Sequence, residues 1–147
     1  MALLDAVSSP SDEVSVLATE RLLWVGPVTV LTSVAAVLLV RLLVIQIPGV
    51  PANATPLGLI APTIDTVILV SIAMLVFAGI SASSDHPVRT FRRVAFAALL
   101  VSFIPLTMMF RAPRMGGLPM AIALGSMHIA AYIPCVTLLP MLLTMKR

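Results

Sequence analysis

Two oppositely charged residues, Arg41 and Asp65, stand inside long apolar stretches of the sequence. At the rise of an α-helix, each lies roughly 9 to 10 Å inside its predicted helix, where an unpaired charge in a bilayer costs on the order of 2 to 3 kcal/mol. We therefore expect the two side chains to pair between neighbouring helices, with Arg111 as a competitor for the carboxylate. The pair is interpreted as a structural clip in the first place, and alternatively as the floor of an outward-facing polar pocket.

The histidine His128 stands about ten residues into the last apolar stretch, close to the predicted membrane midplane. Helical spacing puts Tyr132 on the same face, so both are candidate ligand-binding residues beside Arg41 and Asp65. Such an imidazole suits a haem or metal ligand or a proton relay, but a neutral histidine bonded to a serine or threonine of another helix is commoner. The other histidine, His86, falls at one membrane surface, so the two cannot ligate one haem. No cofactor or metal is expected.

Two further patterns in the sequence are typical of contacts with other helices or with lipids, and not of catalysis. Small residues at one face of the last stretch let another helix approach closely, which favours contact with other membrane proteins or self-association. They are Gly117, Ala121 and Gly125. Three arginines at the start of the third stretch suit anionic lipid headgroups, or serve simply as a topology anchor. They are Arg89, Arg92 and Arg93.

Several function classes are disfavoured by what the sequence contains. The single cysteine, Cys135, can form neither an internal disulfide nor a paired redox thiol. We find no nucleophile and base pair, no metal-ligand cluster and no phosphate loop, so we expect no enzymatic activity. The sequence pI near 10 does not predict nucleic-acid binding, because basic residues at helix ends are the ordinary topology signal of membrane proteins.

The elements that carry these residues are predicted from hydropathy. With 60% hydrophobic and 10% charged residues, the composition lies outside the range of soluble domains. The sequence predicts an all-α, integral membrane four-helix bundle of up-down-up-down topology at residues 21–147, preceded by a polar, acidic tail at residues 1–20. Asp85 is the predicted N-cap of the third helix, and Pro134 and Pro140 predict a kink in the fourth. The predicted spans are 22–47, 57–80, 87–110 and 118–143.

Orientation follows from the lysines and arginines near the span ends. Four spans put both termini and the middle turn on one side, which collects six basic residues against three on the other. We therefore expect both termini in the cytoplasm. The six are Arg21, Arg89, Arg92, Arg93, Lys146 and Arg147, and the three are Arg41, Arg111 and Arg114.

The sequence resembles an uncharacterised family of small bacterial four-span membrane proteins, known only as a domain of unknown function. The resemblance rests on the entry to the first helix at Arg21–Pro27, the entry to the third at Pro87–Arg92, and the Met127–His128 pair in the fourth. It implies a bacterial cytoplasmic (inner) membrane protein and assigns no activity. Eight arginines against one lysine also suit a GC-rich bacterial source.

Three functions remain open at this point. The first is a non-enzymatic helical subunit or scaffold that associates with other membrane proteins. The second is a small-molecule or ion-binding or transport module with a polar pocket at Arg41, Asp65 and His128. The third is a haem- or quinone-linked redox protein that uses His128.

Overall fold

The computed structural model describes the backbone of residues 10–50, 53–110 and 116–144, and the side chains of residues 24–50, 53–108 and 116–141. Some of the predictions fall outside these ranges. They concern residues 1–9, Arg111, Arg114, Lys146, Arg147 and the side chain of Arg21. Within the described ranges, five α-helices form four membrane-length segments. They are α1 (Pro10–Val44), α2 (Ile60–Ser83), α3 (Pro87–Ser102), α4 (Ile104–Phe110) and α5 (Gly117–Thr144).

The four segments are long and apolar enough to cross a membrane, which confirms the predicted architecture. The candidate spans have mean hydropathies between 1.5 and 2.2. They are Trp24–Val44, Ile60–Ser83, Pro87–Met108 and Gly117–Met141. The predicted fourth span agrees with α5, which runs continuously across Pro134 and Pro140.

Helix α1 is longer than predicted at its start and shorter at its end. The residues from Pro10 onward, assigned to a polar tail, belong to one helix that continues into the span and ends at Val44 rather than at residue 47. A proline suits the first position of a helix.

The connector between α1 and α2, described at residues 45–50 and 53–59, includes residues that were predicted to belong to the second span. A 3-10 turn at Thr55–Leu57 delays the start of α2 to Ile60. Gly49 in this connector has a φ of 87°, a left-handed conformation that L side chains rarely adopt, so glycine is required there. We call the end of the bundle that carries the connector the connector end.

The opposite end carries the turn Ser84–His86, and we call it the turn end. Helix α3 begins at Pro87 as predicted, but its N-cap is His86 and not Asp85, and the cap position makes no side-chain hydrogen bond. The hydroxyl of Ser84 organises the turn instead, because it lies 3.2 Å from the Thr90 hydroxyl and accepts the His86 backbone N–H at 3.3 Å.

The third span, predicted as one helix, is broken at Phe103 into α3 and α4. Pro105 explains the break, since it lacks a backbone N–H and its ring clashes with the carbonyl four residues earlier in a regular helix. The chain responds with a tight turn in which Phe103 donates its N–H to Leu100, three residues back, at 3.1 Å.

The four spans pack in a ring, each against its neighbours in sequence, and α1 closes the ring against α5. Two buried apolar clusters hold it. At the connector end, Val37 and Val44 of α1 pack with Met120 of α5, and at the turn end Val25 and Leu139 join the two aromatic rings of Phe77 and Phe91. Because the late part of α1 meets the early part of α5, these helices are antiparallel, as an up-down-up-down bundle requires.

Candidate functional site: a cleft between α2, α3 and α5

A cleft of about 450 Å³ runs between α2, α3 and α5, from the connector end to the ring of Phe91 near the turn end. Its walls are mostly aliphatic side chains and alanines. Six polar residues line it: Asp65, Thr66, Ser102, His128, Tyr132 and Cys135. Three of the four residues predicted as ligand-binding from the sequence therefore line one cavity.

The face of α2 that lines the cleft follows helical spacing, through Pro62, Asp65, Leu69, Ala73 and Val76. On α5 the corresponding residues are Leu124, His128, Ala131 and Cys135. Leu69 and Val76 are exposed, so the cleft opens sideways toward the lipid-facing surface as well as along its length.

Asp65 lies five residues after the start of α2, roughly 8 Å into the helix, and its side chain is exposed at the mouth of the cleft. It is the only acidic residue within the four candidate spans. Among the residues that the structure describes, its carboxylate has no hydrogen bond or ion pair. A charge without a partner inside a membrane span is costly, so such residues commonly have a function.

The predicted pair of Arg41 and Asp65 is wrong. Arg41 is half-buried and donates its Nε–H to the backbone carbonyl of Leu57 at 2.6 Å, and it does not line the cleft. The connector folds back against the end of α1, which brings the Leu57 carbonyl to the guanidinium. One donor of the arginine is therefore bonded to a backbone carbonyl, and the Asp65 carboxyl group has no counter-ion among the described residues.

His128 lies eleven residues into α5, about three turns from its start, and is half-buried. Its Nδ1 lies 2.9 Å from the carbonyl oxygen of Leu124 in the same helix. A carbonyl only accepts, so Nδ1 carries the hydrogen and Nε2 of the neutral ring keeps a lone pair. The expected hydrogen bond to a serine or threonine of another span is therefore wrong.

Tyr132 and Cys135 continue the polar face of α5 below His128. Tyr132 is half-buried, and its hydroxyl has no hydrogen bond within the described part of the chain. Cys135 is buried, with its Sγ 4.0 Å from the Oγ of Ser33 on α1.

Thr66, Ser102 and Cys135 were not predicted as part of the site. Thr66 donates its hydroxyl hydrogen to the Pro62 carbonyl at 2.6 Å, and Ser102 donates to the Leu99 carbonyl at 2.7 Å. Such bonds within one turn are ordinary for hydroxyl residues in helices, so the residue type alone gives no sign of a cavity. The one available signal was the position of Thr66 beside Asp65.

No group of three or more histidine, cysteine or carboxylate side chains able to hold a metal ion occurs among the described residues. His86 lines a different depression, at the turn end. The cleft thus offers His128 alone as an imidazole, and the structure does not bring the two histidines together.

The predicted lipid-headgroup residues line this second depression, of about 770 Å³, at the turn end. The side chains of Arg89, Arg92 and Arg93 are all exposed there, and Asp85 lies at its edge. The three arginines share one surface where helix α3 enters the bundle.

The small-residue face of α5 is used inside the molecule. A Cβ atom on Gly125 would lie 3.1 Å from Cε1 of Phe103 and 3.3 Å from Cδ2 of Leu106, and Ala121 is buried. The close helix approach predicted for this face is therefore found, and its partner is the break between α3 and α4.

Comparison of the chain with models of protein families, with curated proteins and with solved structures finds no match. The four long apolar helices agree with the four-span architecture of the family that the sequence resembles, and the comparisons identify no family. The chain is a multi-pass membrane protein. Its function has to be argued from the cleft.

Proposed function

We propose that this chain is a non-enzymatic, membrane-embedded binding protein that takes a small, mainly apolar molecule into the cleft between α2, α3 and α5. The observation that carries the proposal is that Asp65, His128 and Tyr132 line one cavity of about 450 Å³. Small-molecule sites have volumes of roughly 300 to 1,000 Å³ and combine apolar walls with a few polar groups. The cleft fits both properties.

The subunit or scaffold hypothesis loses one of its supports. It used the small-residue face of α5 as a contact for another protein, and Gly125 on that face already packs against Phe103 and Leu106. The redox hypothesis rests on His128 alone, since His86 lies at the turn end.

The proposal is tested with a neutral probe, tritiated 1-adamantanol, and the purified protein in phosphatidylglycerol nanodiscs. The rigid apolar body of this probe is smaller than the cleft, and its hydroxyl suits a hydrogen-bond acceptor on the wall. We expect saturable binding after subtraction of empty nanodiscs, measured by scintillation proximity.

A matched pair of variants assigns the binding to the cleft. Ala97 and Ala98 are both exposed, but only Ala98 lines the cleft. Ala98→Trp fills part of the cavity and should abolish binding, and Ala97→Trp should bind as the natural protein does. Absence of saturable binding to the natural protein, or equal binding by the two variants, contradicts the proposal.

A second role is supported by the depression at the turn end. We propose that Arg89, Arg92 and Arg93 hold anionic lipid headgroups at the cytoplasmic face of a bacterial inner membrane, each contributing about 1 kcal/mol. Native mass spectrometry of the Arg89→Gln, Arg92→Gln, Arg93→Gln variant should detect less retained phosphatidylglycerol than the natural protein. Equal retention by both proteins contradicts this role.

A further inference from the structure

The aliphatic hydroxyl groups on the cleft wall, of Thr66 and Ser102, are acceptors toward the cavity. Thr66 and Ser102 have both committed their hydroxyl hydrogens to carbonyls of their own helices, at 2.6 Å and 2.7 Å. A hydroxyl has one hydrogen to donate and two lone pairs to accept with. What these two residues can offer to a ligand is therefore a lone pair.

His128 follows the same pattern by a different route. Its Nδ1–H is committed to the Leu124 carbonyl, so when the ring is neutral the remaining nitrogen, Nε2, only accepts. The Tyr132 hydroxyl is the one oxygen on the wall, among the described residues, that keeps a hydrogen to donate, and it can accept equally well.

The charge of the cleft has one sign. Asp65 supplies a carboxylate, which is acceptor-only when ionised, and no lysine or arginine is among the described residues that line the cavity. Arg41, the cation that the sequence suggested as its partner, is turned to Leu57. An anionic ligand would meet repulsion from Asp65, and only Tyr132 and the thiol of Cys135 could donate to it.

A bare metal cation fits the cleft poorly. Hard cations such as Ca²⁺ take six to eight oxygen ligands and Mg²⁺ six, whereas the cleft presents one carboxylate on mostly aliphatic walls. A primary ammonium group is the better complement, because it carries a positive charge and three hydrogen-bond donors with no acceptor. An apolar body attached to it would fill the remaining volume.

We propose that the ligand of the cleft is a protonated amine on an apolar body, with Asp65 as its counter-ion and His128 Nε2 as a further acceptor. This assignment rests on the proposed binding function of the cleft and gives that function a ligand class. It also accounts for an otherwise costly carboxylate that has no described partner within a span.

The test compares two probes that share one body, 1-adamantylammonium and 1-adamantanol, by competition against tritiated 1-adamantanol in the same nanodiscs. We expect the ammonium to bind about 10 to 100 times more tightly than the alcohol, because a charged group makes stronger hydrogen bonds than a neutral one. Asp65→Asn should bind the two probes with equal affinity, and an unchanged circular dichroism spectrum shows that the variant is folded. Asp85→Asn, at the turn end and outside the cleft, should keep the preference.

The outcomes separate the two proposals. If the alcohol binds and the ammonium gains nothing, or if Asp65→Asn keeps the preference, the amine assignment is overturned while the binding function stands. If neither probe binds, both proposals fall.

The ammonium could belong to a free amine or to the headgroup of a lipid. Replacing half of the phosphatidylglycerol by phosphatidylethanolamine distinguishes these sources. Unchanged competition by 1-adamantylammonium identifies a free amine, and weakened competition identifies the lipid headgroup.

Discussion

Arg41 and Leu57 are joined by a hydrogen bond of 2.6 Å from the guanidinium Nε to the backbone carbonyl, between the last turn of α1 and the residue that closes the 3-10 turn before α2. Leu57 is fully buried in the apolar cluster at the connector end. The bond therefore fixes the path of the connector across the connector end of the bundle. It also gives one donor of a charged side chain within the first span an acceptor that is not a carboxylate.

Arg41→Met tests the importance of this bond. Methionine keeps an unbranched apolar stem but removes the donor, so the carbonyl of a buried residue loses its charge-assisted bond. We expect the free energy of unfolding to fall by about 1 to 3 kcal/mol, measured by denaturant titration in mixed micelles. Arg89→Met, which alters an exposed arginine at the turn end, is the control. Equal stability of the two variants would mean that the bond does not hold the connector.

Asp65→Asn should behave in the opposite way. No described residue pairs with the carboxylate, so the substitution removes a charge from the span without breaking a contact. We expect unchanged or increased stability, by up to about 2 to 3 kcal/mol if the carboxylate is fully in lipid. The same titration as for Arg41→Met measures it. A loss of stability comparable to that of Arg41→Met would instead support the salt bridge predicted from the sequence.

The polar residues of the site were partly predictable, for a physical reason. A charge or an imidazole in an apolar stretch is conspicuous because the bilayer penalises it, and Asp65 and His128 were found in this way. Their partners were not predictable from residue types, because those partners are backbone carbonyls, of Leu57 for Arg41 and of Leu124 for His128. Every residue has a carbonyl, so the sequence does not distinguish these two.

The fold was predicted better than its details. Continuous hydropathy defines four spans, but it does not tell which proline interrupts a helix. Pro134 and Pro140, where a kink is predicted, both lie within the continuous helix α5, and the break occurs near Pro105, where Phe103 packs on Gly125. The fourth span is also the most buried, with 39% of an 18-residue stretch buried against 11% in the third, and Pro134 and Pro140 are themselves buried. Packing of this kind is a property of the assembled bundle.

Gly125→Leu tests the contact between α5 and the break in the third span. The added side chain has to displace Phe103 and Leu106, which lie within 3.3 Å of the position of the new Cβ. We expect a loss of about 1 to 3 kcal/mol in the free energy of unfolding, the usual cost of overpacking. Gly79→Ala is the control, because nothing lies within 4 Å of its Cβ position, and alanine in a helix should be neutral or stabilising by up to about 1 kcal/mol. A Gly125→Leu protein as stable as the control would show that the contact is loose.

The orientation of the bundle is testable with two exposed residues at opposite ends, Asn53 in the connector and Asp85 in the turn. In a Cys135→Ala background, which removes the only native thiol, Asn53→Cys and Asp85→Cys each supply one accessible cysteine.

The excess of basic residues on the side of the turn predicts that this side is cytoplasmic. A membrane-impermeant maleimide added to bacterial spheroplasts should therefore label Asn53→Cys directly, and Asp85→Cys only after permeabilisation. The reverse labelling pattern would mean that the protein has the opposite orientation in the membrane. Labelling of both cysteines from outside would contradict a membrane crossing by α2. Because the arginines that are to hold anionic headgroups lie beside Asp85, an inverted result would also move them to the outer leaflet and remove the basis of their proposed cytoplasmic role.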